Sequence, residues 1–299
     1  MTRRLVLGAA ICVALSLLAI GPAAARLGWL ELLIVVGVLV VAPLGWFLLS
    51  RPYDRGRIGG FAWSVQPIAA ASVIGSMFIA RGPKSAVLAI PWAICCAIGM
   101  AGYLAHETPT SRHRPEVSIA TGAFAFQTMA ALVLVAWRGR LAPFGLDDTV
   151  IGSGAAYLQF VAFGSSVLAS EMRAVREAAG IAGATLLLSI GAVSWIPLAT
   201  VGAALLVVAS TRVAVDSAKR VGGSSSWSKV LIWTSLVGAA GAALLGLIYA
   251  AQGPLGLAWL TAQRALHISA TTAGLGFVVP ALLASFVFCV QGDQFEADA

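Results

Sequence analysis

Long stretches without charged residues dominate this sequence and limit what it can fold into. A helix that crosses the hydrocarbon core of a bilayer needs about 20 mostly apolar residues. Ten stretches of suitable length are bounded by charges, glycine or proline: 5–25, 31–49, 58–80, 85–105, 117–137, 149–170, 176–194, 198–215, 229–251 and 265–290. They predict an all-α polytopic integral membrane helix bundle of about ten transmembrane helices. We expect one transmembrane domain over residues 1–299 and no soluble domain.

The composition excludes a soluble globular protein. Only 10% of the residues are charged and 60% are hydrophobic, whereas soluble domains carry about 25% charged residues. The cysteines lie inside apolar stretches without the spacing of a zinc site, so we expect small buried side chains there. No phosphate-binding glycine loop, nucleophile elbow or dinucleotide fingerprint is present. We therefore predict no catalytic residue, no metal and no cofactor, and the balance favours a protein that is not an enzyme.

The stretch from Ala178 to Thr211 decides how many spans there are. It contains no charge, and one helix of its 34 residues would be about 51 Å long, too long for a single crossing without strong tilt. Two short spans that turn between Ser194 and Pro197 fit better.

The distribution of basic residues provides an independent test, because Lys and Arg accumulate in cytoplasmic loops. With ten spans, 13 of the 19 basic residues lie on the side of the N-terminus, and merging the seventh and eighth spans would change 13 against 6 into 10 against 9. The minority side carries Arg26, Arg81, Lys84, Arg138, Arg140 and Arg264. This bias predicts a multi-pass protein of the bacterial cytoplasmic (cell) membrane with both termini in the cytoplasm.

The N-terminal stretch has two interpretations. Arg3 and Arg4, the apolar residues 5–20 and the alanines at 23–25 are also the pattern of a cleavable signal peptide. The apolar part is about as long as a span, so we favour its retention as the first helix.

Polar side chains inside the predicted spans are the candidates for function, because burying them unpaired is costly. His267 and Arg264 share a helix face, either as a proton-exchanging or ligand-binding group or as an interfacial pair bonded to a carbonyl or headgroup. Gln66 precedes Pro67, where it can satisfy a carbonyl freed by the proline or line a cavity. Tyr157 and Gln159 point about 200° apart on a helix and cannot line one wall. Gln127 is a weaker candidate.

Other features indicate structure rather than chemistry. Gly238, Ala242 and Gly246 recur every four residues, a ridge that favours close helix packing. No Asp, Glu or Lys lies near the middle of a predicted span, which argues against carboxylate-driven coupling and paired-carboxylate catalysis. Basic residues are not interleaved with aromatic ones, so we expect no nucleic-acid partner.

Several short motifs in order resemble the YndJ-like family of bacterial multi-span membrane proteins over about residues 60–290. They are Gln66-Pro67-Ile68-Ala69-Ala70, Ala89-Ile90-Pro91-Trp92, Val117-Ser118-Ile119-Ala120, Pro143-Phe144-Gly145-Leu146-Asp147, Ala265-Leu266-His267 and Gly274-Leu275-Gly276-Phe277. The family resembles haem-copper oxidases in a His-x-His signature of the sixth helix. This chain has Tyr157 and Gln159 at those positions, so the resemblance does not imply haem here, nor does it imply a particular activity.

The sequence therefore predicts an uncharacterised membrane protein that binds or passes a small or lipophilic molecule within its helix bundle. The expected partners are the lipid bilayer and that molecule, and the oligomeric state is left open. The alternatives are a membrane-embedded haem, redox or lipid-modifying enzyme, and a structural or regulatory membrane subunit.

Overall fold

The computed structural model describes residues 27–50, 56–105, 115–172, 174–194, 196–221, 226–255, 268 and 271–297. Of these, 92% are helical and none is in a β-strand, so the predicted all-α class is confirmed for the described part of the chain. The predicted first span near 5–25, with its choice between helix and signal peptide, lies outside the described residues. Arg264 and His267 also lie outside them.

The α-helices of the described residues follow one another along the chain with short connections. They are α1 (Trp29–Val36), α2 (Ala42–Ser50), α3 (Gly56–Met77), α4 (Pro83–Ala105), α5 (Pro115–Arg138), α6 (Asp148–Tyr157), α7 (Ser165–Glu171), α8 (Val175–Ser194), α9 (Ile196–Val221), α10 (Ser226–Leu255) and α11 (Val279–Ala297). A short 3₁₀ turn, Pro143–Gly145, precedes α6.

Segments of π-helix lie within three of the long helices. They are π1 (Gly37–Val41), π2 (Leu158–Gly164) and π3 (Thr272–Val278). Because π1 connects α1 directly to α2, and π2 connects α6 to α7, each set forms one continuous helix, while π3 continues into α11.

Five helices of the described chain are long and apolar enough to cross a membrane. They are Trp29–Leu49, Pro83–Ala105, Ser118–Arg138, Asp148–Glu171 and Thr272–Cys289. Five of the ten predicted spans therefore have a helix of sufficient length and apolarity. Large apolar side chains on the outer surface, such as Ile68 and Val237 at 69% and 70% exposure, would face lipid in such a protein.

Local sequence explains where several helices begin. Proline is the first residue of α4 and of α5, a position where its missing N–H costs nothing. Asp147 caps α6, because its carboxylate accepts the backbone N–H of Thr149 at 2.7 Å. At the start of α1, the Glu31 carboxylate accepts the N–H of Gly28 at 2.6 Å.

Small residues and aromatic rings set how the helices pack. A Cβ on Gly238 of α10 would lie 2.1 Å from the carbonyl carbon of Gly276 in π3, so these backbones touch. Close packing at the predicted small-residue ridge is thereby confirmed at Gly238. In the core, Trp46 makes edge contacts with Trp63 and Phe124, with centroids 6.1 and 5.6 Å apart.

The beginning of α1 meets the beginning of π3. The Trp29 indole N–H donates to the Thr271 hydroxyl at 2.8 Å, although the two residues are 242 positions apart. The start of the first described helix and the start of the last one therefore lie at the same end of the bundle.

Candidate functional site

Gln159 lies in π2 and is buried, with 2% of its surface exposed. Its amide Nε2 has no hydrogen-bond partner. A Cβ on Gly37 would lie 2.9 Å from the Gln159 Cγ, so the glycine that begins π1 leaves the space that this side chain occupies. The predicted candidate therefore sits where π1 and π2 meet.

The third π-helical segment packs against the other side of π2. A Cβ on Gly274 would come within 2.8 Å of the Phe160 ring, and a Cβ on Gly164 would come within 2.3 Å of the Val278 side chain. All three π-helical segments thus converge on the stretch that contains Gln159 and Phe160. Single π-helical turns are rare and occur frequently at functional sites, because they change the hydrogen-bond register of a helix.

Gln66 is buried at 4% exposure in the middle of α3, and its Nε2 also lacks a partner. Since neither Gln66 Nε2 nor Gln159 Nε2 has a partner, no hydrogen bond joins these two amides. Pro67 beside it is exposed, and the nearby Cys95 thiol of α4 donates to the Ala62 carbonyl at 3.5 Å. Gln66 is therefore a second buried amide, one helical turn after Ala62 on α3.

Tyr157 and Gln159 occupy different environments. Tyr157 is the last residue of α6 and is only partly buried, whereas Gln159 is enclosed. Of the predicted site residues that the structure describes, Gln66 and Gln159 are thus the buried polar ones.

Gln127, on α5, is more completely buried than either predicted glutamine. Its exposure is 0%, and neither its Nε2 nor its Oε1 has a hydrogen-bond partner. The Cys96 thiol of α4 lies beside this amide. The sequence marks Gln127 as a polar residue in an apolar stretch, but it gives no sign that both amide atoms are enclosed.

Arg138, which directly follows the predicted span 117–137, is buried at the end of α5 with 1% exposure. Its Nε donates to the Ser85 hydroxyl at 2.7 Å, and its Nη1 lies 3.4 Å from a Glu31 carboxylate oxygen. Its Nη2 donates to the backbone carbonyls of Ser76 and, at 2.6 Å, Ile79. We call these five residues the Arg138 network.

The Arg138 network ties four helical segments together at one end of the bundle. Ser76 lies in the last turn of α3 and Ile79 just beyond it, where backbone carbonyls have no partner within the helix. The planar guanidinium can satisfy several such acceptors at once. The remaining partners come from α1 and α4, so this buried cation has a structural explanation.

A second ion pair lies beside the network. Arg81 pairs with Asp148 at the start of α6, and both side chains are partly exposed. The Trp137 ring is contacted by both guanidinium groups, with Arg81 Cζ at 5.1 Å and Arg138 Cζ at 5.5 Å from its centroid. Two of the basic residues predicted for one side of the membrane, Arg81 and Arg138, thus contact the same ring, which spacing alone did not indicate.

Candidate metal ligands do not cluster in the described part of the chain. No group of three or more His, Cys, Asp or Glu side chains comes together there. Cys95, Cys96 and Cys289 are buried, as the sequence predicts for these positions, and they are free thiols.

These features define an all-helical membrane protein with buried neutral polar groups and a charged network at one end. The protein-family model for YndJ-like proteins matches residues 32–277. The chain therefore belongs to the YndJ-like family. No curated protein and no solved structure gives a significant match. The stretch with Tyr157 and Gln159 in place of the histidine signature coincides almost entirely with π2.

Proposed function

We propose that this YndJ-like protein binds or passes a small or lipophilic molecule within its helix bundle. The observation that carries the proposal is the set of buried glutamine amides without partners. Gln66, Gln127 and Gln159 are each at most 4% exposed, and the Nε2 of each lacks an acceptor. A buried polar group without a partner costs about 1–3 kcal/mol, so its presence calls for a reason beyond packing.

The chemistry of these groups favours one kind of ligand. An amide Nε2 carries two N–H donors and no charge. A neutral molecule with a carbonyl, ether or hydroxyl oxygen would supply the missing acceptor without bringing a charge into the bundle. The neighbours of Gln159 in π2, Phe160 and Val161, are buried and apolar, which favours a largely apolar body for this molecule.

We further propose ten spans in the bacterial cytoplasmic membrane, with both termini in the cytoplasm. The contact between Trp29 and Thr271 supports an even number of crossings between the starts of their helices. Two separate spans in α8 and α9 satisfy this condition, because the last helix then starts at the same end as α1. A single crossing there would start the last helix at the opposite end.

The ligand proposal is tested with the full-length protein purified in mild detergent. We expect small molecules that copurify with the wild type, identified by mass spectrometry, to be depleted several-fold in Gln159→Met and Gln127→Met. Thr128→Val is a matched control on α5, since the Thr128 hydroxyl already bonds to the Phe124 carbonyl at 2.9 Å. Equal retention by wild type and both variants would overturn the proposal.

The membrane topology is tested separately with reporter fusions in cells. A C-terminal fusion should report a cytoplasmic location, and a reporter in the loop between α5 and α6 an external one. A C-terminus on the outer face would contradict the ten-span proposal and leave the ligand proposal standing.

A further inference from the structure

We propose a second binding site, separate from the glutamines, in which Arg140 binds the phosphate group of an amphiphile at the end of the bundle. The site is a cavity of about 280 Å³ between the end of α5 and the start of α6. It is lined by Arg140, Leu141, Ala142, Leu146, Asp148 and Ile151.

The cavity is lined by both apolar and charged side chains. Leu141, Leu146 and Ile151 give an apolar wall, while Arg140 and Asp148 give charge. A wall of this kind accommodates a molecule with a charged head and an apolar tail. The cavity lies where the span Ser118–Arg138 ends and the span Asp148–Glu171 begins, which is the level of lipid headgroups for helices of this length.

The carboxylate that lines this cavity is paired with another arginine, so Arg140 is a cation in the lining without a carboxylate partner among the described residues. Asp148 is already neutralised by Arg81, and Arg138 is neutralised by Glu31. Arg140 makes no ion pair or side-chain hydrogen bond with another described residue, and its side chain is exposed. A guanidinium in this state is suited to a phosphate, which can accept two parallel N–H bonds from it.

The backbone holds Arg140 in an unusual conformation. Its φ is 55°, the only positive φ of a non-glycine residue in the described chain. The Leu141 N–H donates to the Ala136 carbonyl and the Arg140 N–H to the Trp137 carbonyl, which is the Schellman helix ending. Glycine normally occupies this position, and an arginine there costs about 1–2 kcal/mol.

Gly139, the residue before Arg140, has a packing role of its own. A Cβ at Gly139 would lie 3.2 Å from the Ala86 Cβ of α4, so this glycine is needed for helix contact. The left-handed position that follows favours glycine or asparagine, but the chain has an arginine there. The strained conformation places a cation in the lining of the cavity.

The test uses the full-length protein in detergent and native mass spectrometry with short-chain probes. The probes are dioctanoyl phosphatidylglycerol, dioctanoyl phosphatidylethanolamine, dioctanoylglycerol and inorganic phosphate. We expect the wild type to retain both phospholipids, and Arg140→Met to lose about tenfold in affinity, as expected for a lost charge-assisted hydrogen bond. Lys84→Met, an exposed cation at the same end, is the control and should bind as the wild type does.

Two results would overturn the proposal. The first is equal binding of the phospholipids by wild type and Arg140→Met, and the second is dioctanoylglycerol binding as tightly as the phospholipids. Inorganic phosphate that displaces the lipids at equal concentration would remove the amphiphile and so overturn it as well. Loss of binding in Ile151→Trp, which fills the cavity, would support it independently of charge. None of these variants changes a glutamine, so the two proposals fail separately.

Discussion

Two groups of buried polar side chains in this protein differ in whether they have hydrogen-bond partners. At one end of the bundle, Arg138 carries a full charge and finds acceptors on a carboxylate, a hydroxyl and two carbonyls. Within helices α3 and α5 and the π2 segment, the amides of Gln66, Gln127 and Gln159 carry no charge and their Nε2 atoms find no acceptor. The charged guanidinium, which costs the most free energy to bury, thus has hydrogen-bond partners, while the neutral amide Nε2 atoms have none.

This difference distinguishes the structural role of Arg138 from the ligand-binding role that we propose for the glutamines. A charge that binds four helical segments together raises stability only if its partners are fixed, and the Arg138 network meets that condition. An amide that has no partner lowers stability in the empty protein and can repay that cost only when another molecule binds. Substitutions at the two groups should therefore change stability in opposite directions.

The largest effect is expected for Arg138→Met. The substitution leaves the Glu31 carboxylate and the carbonyls of Ser76 and Ile79 without their buried donor, which should lower the free energy of unfolding by about 3–5 kcal/mol. The measurement is thermal unfolding in detergent, together with the yield of monodisperse protein.

Two further variants keep this prediction open to contradiction. Arg138→Lys retains the charge but not the planar fork, and should rescue only part of the loss. In the Glu31→Gln, Arg138→Met double variant the loss should be smaller than the sum of the single ones, because the two side chains interact. Wild-type stability in Arg138→Met would show that the network does not hold the helices together.

A smaller effect of opposite sign is expected for Gln127→Met. Methionine has nearly the same shape and needs no hydrogen bond, so in detergent without added ligand the variant should be more stable by about 1 kcal/mol. Thr128→Val should change little, since its hydroxyl bonds only within its own helix. A marked loss of stability in Gln127→Met would give this amide a structural role and remove the contrast.

The smallest effect is expected for Arg81→Met. The pair with Asp148 is partly exposed, with side-chain exposures of 32% and 45%, and exposed pairs contribute about 1 kcal/mol or less. The melting temperature should fall slightly, and by less at high salt. A loss as large as that of Arg138→Met would mean that the whole charged end acts as one unit.

The helices themselves could be predicted from the sequence, because uncharged apolar stretches of span length have few alternatives in a membrane. The separate helices α8 and α9 follow from length and from Pro197, and the burial of Gln66 and Gln159 follows from their place within apolar stretches. Each of these conclusions depends on residues that are close together in the chain.

The Arg138 network and the π-helical segments could not be predicted in the same way. An arginine at the end of an apolar stretch looks the same whether it enters water or turns inward, and its partners come from other helices. A π-helical segment changes the hydrogen-bond register by one residue without requiring a particular side chain, so Leu158–Gly164 reads as an ordinary apolar helix. The Arg138 network and the π-helical segments both depend on how the helices pack against one another.

The positions of two tertiary contacts in the chain have a consequence for biosynthesis. All partners of Arg138 precede it, so its network can close once the ribosome has released α5 into the bilayer. The Trp29 indole can form its hydrogen bond only after Thr271 is made, more than a hundred residues after Arg138. Because chains fold from the N-terminus as they are made, the Arg138 network can assemble before π3 exists, and the contact between Trp29 and Thr271 is added afterwards.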